Sequence, residues 1–204
     1  MLFDPSIPLV VSYHTIDPVY SAAADRLRES LRKFNLPHLI HAVPRPPGLP
    51  WLAGCAMKSE LCLFAQRTTR HSIIWVDADA EVLSDPRPQF RSLVESGCDV
   101  AAYMNRKADG GSGFPLVNSN LCSGTVYFSA SSTATLLLQN WYSVCAASGA
   151  TVYDQELLYA RIREIPYAKT FNLDPALCCV RDLMPGVKPV IVQHQASRQQ
   201  GSLP

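Results

Sequence analysis

A run of four apolar residues, Ile73-Ile74-Trp75-Val76, stops directly on Asp77-Ala78-Asp79. This feature limits the fold more than any other. Large apolar side chains in unbroken succession leave no polar face for water. The segment from Ser72 to Val76 therefore predicts a strand covered on both sides, as in a parallel sheet flanked by helices. In open α/β sheets, ligands bind beyond the carboxyl ends of strands, and that is where the two carboxylates fall. If the chain stays extended there, side-chain alternation points both aspartates to one side. Two hard oxygen donors on one side suit Mg2+ or Mn2+. The plainer alternative is that Asp77 and Asp79 cap the turn that follows.

The rest of the chain alternates in the same way. Leu9 to Tyr13 reads as a buried strand and Tyr20 to Phe34 as a helix, with Leu27, Leu31 and Phe34 on one face. Asn35 and Pro37 stop that helix. His38 to Val43 reads as a second strand, and the prolines of residues 44–50 impose an irregular loop. A helix over Ala56 to Gln66 is expected to turn Met57, Leu61 and Phe64 inward. Further strands are expected at Cys98 to Met104, Gly124 to Ser129 and Val190 to Gln193. Two more helices cover Ser131 to Ala147, capped by Ser131 or Ser132, and Tyr153 to Arg163. Strands alternating with helices imply an α/β domain with a mostly parallel sheet. The polar, glycine-bearing stretch 105–119 is a long loop of the kind that is usually functional.

Composition narrows the function. With 18 Lys plus Arg against 17 Asp plus Glu, the formal charge is +1, which disfavours a binder of phosphate backbones. Seven cysteines without recurring CxxC pairs read as reduced, mostly buried thiols. The first residues carry no signal-peptide pattern, and no apolar run approaches the ~20 residues of a membrane span. A cytoplasmic location, in a bacterial or virus-infected host cell, is the expectation.

The string IIWVDADAEVLSDP resembles the pattern of the GT-A nucleotide-diphospho-sugar transferases, the DxD glycosyltransferases. Other segments are similar to that family in chain order: Lys58 on a helix before the aspartates, the Asn120 to Phe128 strand with Gly124, Tyr153-Asp154-Gln155 at a helix start, and His194 after the last strand. The resemblance implies a GT-A, Rossmann-like sheet flanked by helices over residues 1–194, with 195–204 as a polar tail. It implies a nucleotide-sugar donor, a UDP-sugar foremost, and Mn2+ or Mg2+ as cofactor. Asp79, Asp77 and His194 become the metal ligands, His194 through neutral imidazole; an ordinary strand-end histidine is the alternative.

Donor contacts are then expected from Asp77, from Tyr13, His14 and Thr15 at the end of the first strand, and from Asn120 and Gly124. Lys58 and, from the tail, Arg198 would offset diphosphate charge. The bland counterparts are a buried tyrosine, a solvated helix lysine and an exposed tail arginine. Asp154 is expected either as the general base of an inverting reaction or as an orienting group with Gln155 near the anomeric carbon of a retaining one. Helix capping is its structural alternative. The 105–120 loop, with Gly110, Gly111 and Gly113, would close over the donor. The acceptor stays open among a glycan, a protein, a lipid and a modified DNA base. Two other functions compete: a haloacid-dehalogenase-like phosphohydrolase using Asp77 and Asp79, and a non-catalytic nucleotide-sugar binder. The residues Ala80-Glu81 after the motif and its mid-chain position weigh against the first.

Overall fold

The computed structural model describes residues 4–44, 51–104, 121–149, 151–181 and 183–195. In chain order the elements are β1 (Leu9–Thr15), α1 (Pro18–Lys33), β2 (His38–Val43), α2 (Trp51–Thr69), β3 (Ile73–Val76), β4 (Ala80–Val82), α3 (Arg87–Glu95), β5 (Val100–Met104), β6 (Leu121–Phe128), α4 (Ser132–Ala147), α5 (Asp154–Glu164), β7 (Thr170–Asn172) and β8 (Ile191–Gln193). Six strands form one sheet in the order β2-β1-β3-β6-β5-β7, and β4 pairs with β8 in a separate ribbon. Within the sheet β1 is parallel to β2 and β3, β5 is parallel to β7, and β6 runs against both neighbours. All strands but β6 thus point one way, which is the mostly parallel α/β sheet the sequence implies.

Alternation along β3 divides the core in two. Ile73 and Trp75 join Leu9, Val11, Val126 and Phe128 in one apolar cluster, with Cys62 and Leu63 of α2, Leu137 and Trp141 of α4, and Leu158 of α5. Ile74 and Val76 join Val10 and Tyr127 in the other, with Leu27 and Leu31 of α1 and Phe90 of α3. A strand that must satisfy two apolar layers needs apolar side chains at consecutive positions, hence IIWV. Helix starts follow their caps. Asp17 accepts from the backbone N–H groups of Val19 and Tyr20 ahead of α1, and Ser131 accepts from Ala134 N ahead of α4. Asn35 ends α1 with a positive φ of 51°.

Three expectations are corrected. Helix α2 begins at Trp51 rather than Ala56. Its inward face carries Lys58, Ser59, Cys62, Leu63, Ala65 and Gln66, while Phe64 is 53% exposed and packs edge-on to His41. Three polar residues on the buried face mislead a reading based on apolar spacing alone. The last strand lies outside the main sheet, paired antiparallel with β4, whose residues follow the DxD motif. Strands β4 and β7 are three residues each and show no period, whereas α3 does carry one, with Phe90, Leu93 and Val94 on the face turned to the second cluster. Among the described residues no helix is long and apolar enough to cross a membrane.

Candidate active site

The chain turns immediately after β3. Ala80 N donates to Asp77 O at 3.0 Å, closing a tight turn, so the two aspartates are not held side by side by strand alternation. Asp77 stays with the central sheet: its N–H donates to Gly124 O on β6 at 2.9 Å. Its Oδ1 accepts the indole N–H of Trp75 at 2.7 Å. Trp75 and Asp77 are two residues apart on a strand end, so both side chains leave on the same side.

Lys58 meets that carboxylate from α2. Its Nζ lies 3.0 Å from Asp77 Oδ1 and 3.3 Å from Asp154 Oδ2. It also donates to Ser123 O at 3.1 Å and Ser123 Oγ at 3.0 Å, and lies 5.4 Å from the Trp75 ring centroid. Lys58 is 6% and Asp154 4% exposed. Removing such ions from water costs several kcal/mol each unless partners surround them; here each ion is the partner of the other. Burial acts to lower the Lys58 pKa, but the Asp154 and Asp77 charges outweigh it and hold the ammonium above the ordinary lysine range. Burial pushes the Asp154 carboxyl up from 3.8, with Lys58 opposing. A solvated helix lysine is therefore ruled out. So is the capping alternative for Asp154. It is the first residue of α5 after the N-cap Tyr153, its backbone carbonyl is tied to the Trp141 indole N–H at 2.9 Å, and its side chain faces Lys58.

Asp79 and His194 sit on the ribbon. His194 N donates to Asp79 O at 3.1 Å, so the two residues are neighbours, as the metal reading requires. The imidazole, however, is engaged elsewhere: Nε2 lies 3.0 Å from Glu81 Oε2. Carboxylate oxygens and an imidazole suit a divalent ion in kind. As the side chains stand, no three His, Cys, Asp or Glu among the described residues are close enough together to hold one.

The expected base pocket is bonded internally. The Tyr13 hydroxyl donates to Gly54 O, and the ring sits 5.9 Å from that of Trp75. His14 is buried, with Nδ1 3.1 Å from Thr15 O and Nε2 3.2 Å from Arg28 Nη2. The Thr15 hydroxyl donates to Asp17. Tyr13 lies beside the charged cluster, whereas His14 and Thr15 are bonded towards α1. Gly124 packs against Asp77 and Gln193: a Cβ there would meet Gln193 Cδ at 3.2 Å and Asp77 Oδ2 at 3.4 Å. Gln155 follows Asp154 and is half-buried. Asn120, Arg198 and the 105–119 loop lie outside the described residues. Sequence reasoning missed Trp75, Ser123 and Gln193 as site residues. An indole directly before the DxD and a polar side chain in the apolar last strand were the available signals.

Residues 55–197 match the sequence profile of a family described as nucleotide-diphospho-sugar transferase. The range includes Lys58, Asp77, Asp79, Asp154 and His194. Among solved structures the chain is similar to a glycosyltransferase involved in the glycosylation of the major capsid of PBCV-1, with a TM-score of 0.70 and 15% identity over 96% of this chain and 98% of that one. It is also similar to the glycosyltransferase GlyE of Streptococcus pneumoniae TIGR4, with a TM-score of 0.60 and 13% identity over 92% of this chain and 54% of that one. Mouse xyloside xylosyltransferase 1 gives a TM-score of 0.53 and 11% identity over 92% and 97% of the two chains. These likenesses establish the fold. Over 55 residues, 27% of this chain, it is 36% identical to an uncharacterized protein, y4wF, of Sinorhizobium fredii, and the match spans 16% of that protein's length.

Proposed function

The chain belongs to the nucleotide-diphospho-sugar transferase family, and on that premise we propose that it transfers a glycosyl unit from a nucleoside-diphosphate sugar, a UDP-sugar foremost, to an acceptor hydroxyl with Mn2+ or Mg2+ as cofactor. The observation that carries this reading is the buried Lys58 ammonium held between Asp77 and Asp154 at the end of β3. A chain does not bury a lysine and an aspartate beside a third charge at the mouth of its sheet for stability, because an apolar replacement of the same volume is commonly as stable or more so.

The charge balance also supports a cation. Asp77, Asp79 and Asp154 bring three negative charges against the one positive charge of Lys58. A diphosphate adds more, and like charges repel strongly where water is excluded. A divalent ion held by Asp77, Asp79 and His194 would stabilise the departing diphosphate as a Lewis acid. The chain's own groups do the remaining work. The Trp75 indole fixes the direction of the Asp77 carboxylate. Asp154 keeps Lys58 charged and in place, and Lys58 in turn supplies a fixed positive charge beside the diphosphate. With Asp154 engaged by Lys58 and 4% exposed, the half-buried Gln155 is the member of that pair that would contact sugar or acceptor. The family match over residues 55–197 weighs against the haloacid-dehalogenase alternative.

The test is a panel of nucleotide sugars with Mn2+, read as release of nucleoside diphosphate. Release should require the cation, stop with EDTA and fall at least ~100-fold in Asp79→Ala. Unchanged turnover in Asp79→Ala would remove the basis of the assignment. Phosphate release from a generic phosphoester would revive the phosphohydrolase.

A further inference from the structure

The DxD motif is divided between two pieces of structure, the central sheet with Asp77 and the β4–β8 ribbon with Asp79 and His194. Apolar packing of Ala80, Val82 and Ile191 and the Val82 N–H bond to Ser30 Oγ seat the ribbon on the core. A side chain that hydrogen-bonds it directly to the central sheet is Gln193. It belongs to β8, where it pairs with Ala80, directly before His194. It is 7% exposed. Its Nε2 crosses to β6, donating to Gly124 O at 3.1 Å and to Thr125 Oγ1 at 3.1 Å. The same Gly124 carbonyl accepts the backbone N–H of Asp77 at 2.9 Å. One acceptor is therefore shared by the motif's first aspartate and by the residue that precedes the site's histidine.

The orientation of the amide is forced. A carbonyl can only accept, so the NH2 end must face Gly124 O. This leaves Oε1 buried with no hydrogen-bond partner among the described residues, at a cost of about 1–3 kcal/mol. Glycine at 124 is part of the same arrangement. A Cβ there would stand 3.2 Å from Gln193 Cδ and 3.3 Å from its Nε2, so the amide would have to give way, whereas 3.4 Å to Asp77 Oδ2 is ordinary contact.

We propose that Gln193 is a positioning residue: its side-chain amide braces the ribbon against β6 and so sets Asp79 and His194 relative to Asp77. The inference rests on the transferase reading of that site. Residues that orient ligating groups, when lost, commonly cost 10–100-fold in metal affinity or activity.

The test compares Gln193→Met, which keeps the bulk and loses the amide, with Gln193→Ala. The readouts are the 1H–15N indole signals of Trp75 and Trp141, assigned with Trp75→Phe and Trp51→Phe, and the donor kinetics. Trp75 bonds to the Asp77 carboxylate and Trp141 to the Asp154 carbonyl; the first reports the brace and the second the fold. In both variants the Trp75 signal should move and the Trp141 signal stay. Turnover with nucleotide sugar should fall ~10–100-fold. Gly124→Ala should be damaging in the parent and add nothing in Gln193→Ala, where the clash is gone. Wild-type signals and turnover in Gln193→Met would overturn the proposal, because packing alone would then suffice. So would Gly124→Ala effects that add fully to those of Gln193→Ala. If the parent turns over no nucleotide sugar, the transferase reading fails. The Trp75 signal and the Gly124/Gln193 coupling, read from melting temperatures, still decide the brace.

Discussion

Asp77 and Asp79 are separated by a single residue, yet they lie in surroundings that differ in kind. Asp77 is built into the central sheet. Its backbone bonds to β6, its carboxylate takes an indole N–H and an ammonium, and the Lys58 and Asp154 side chains against it are almost fully buried. Asp79 lies on the turn into a two-stranded ribbon, where the neighbouring Glu81 and His194 side chains are 34% and 32% exposed. In the first region Lys58 and Asp154 depend on each other because water hardly reaches either, while the Asp77 carboxylate beside them is 36% exposed. In the second the strands are as deeply buried, with Ala80 and Ile191 0% exposed, and it is the Glu81–His194 side-chain contact that water can replace. A site of the nucleotide-diphospho-sugar transferase family has use for both: a fixed electrostatic frame, and side chains that can change partner.

The contrast can be broken most forcefully at Lys58. Lys58→Met leaves Asp154 buried without its counter-charge and should cost about 3–5 kcal/mol of stability, read from denaturant melts. The loss has a sign in pH. Burial already raises the Asp154 pKa above 3.8, and without Lys58 the folded form takes up a proton more readily than the unfolded chain. The deficit should be full above that raised value and shrink as pH falls through it towards 3.8. A deficit that does not shrink as pH is lowered would show that Asp154 is not the stranded charge. Trp75→Phe probes the same frame more gently, removing one hydrogen bond to a charged group. A loss of about 1.5 kcal/mol in urea unfolding is expected, and no loss would mean that the indole does not hold the carboxylate. On the ribbon, Glu81→Gln should change stability by no more than about 0.5 kcal/mol, since exposed ion pairs contribute little. It should nevertheless tighten Mn2+ binding in calorimetry, because the His194 imidazole is released from its carboxylate. Weaker Mn2+ binding would assign Glu81 the opposite part, that of holding His194 ready.

Much of this was legible in the chain. The strand Ile73–Val76 and its two-sided burial follow from four apolar residues in a row. Helix α1 follows from Leu27, Leu31 and Phe34, and helix α4 from the Ser131 cap and Leu137 and Trp141. The order of Lys58, Asp77, Asp79, Asp154 and His194 was sufficient to suggest the family that the 55–197 match bears out. The ribbon was not legible, because β4 and β8 are three residues each and a period cannot be read from three positions. Nor was the outward turn of Phe64, because the inward face of α2 is partly polar for the sake of Lys58.

The sequence by itself determined which segments are buried and which end carries the acids, because burial periodicity is local and each residue's face follows from its neighbours. Only the tertiary structure decided which charges meet. Lys58, Asp77, Ser123 and Asp154 come together because β6 lies beside β3 and because α2 and α5 cover the same face. The energy of a buried ion depends on what stands within a few ångströms of it, and that is set by the packing order of elements far apart in the chain.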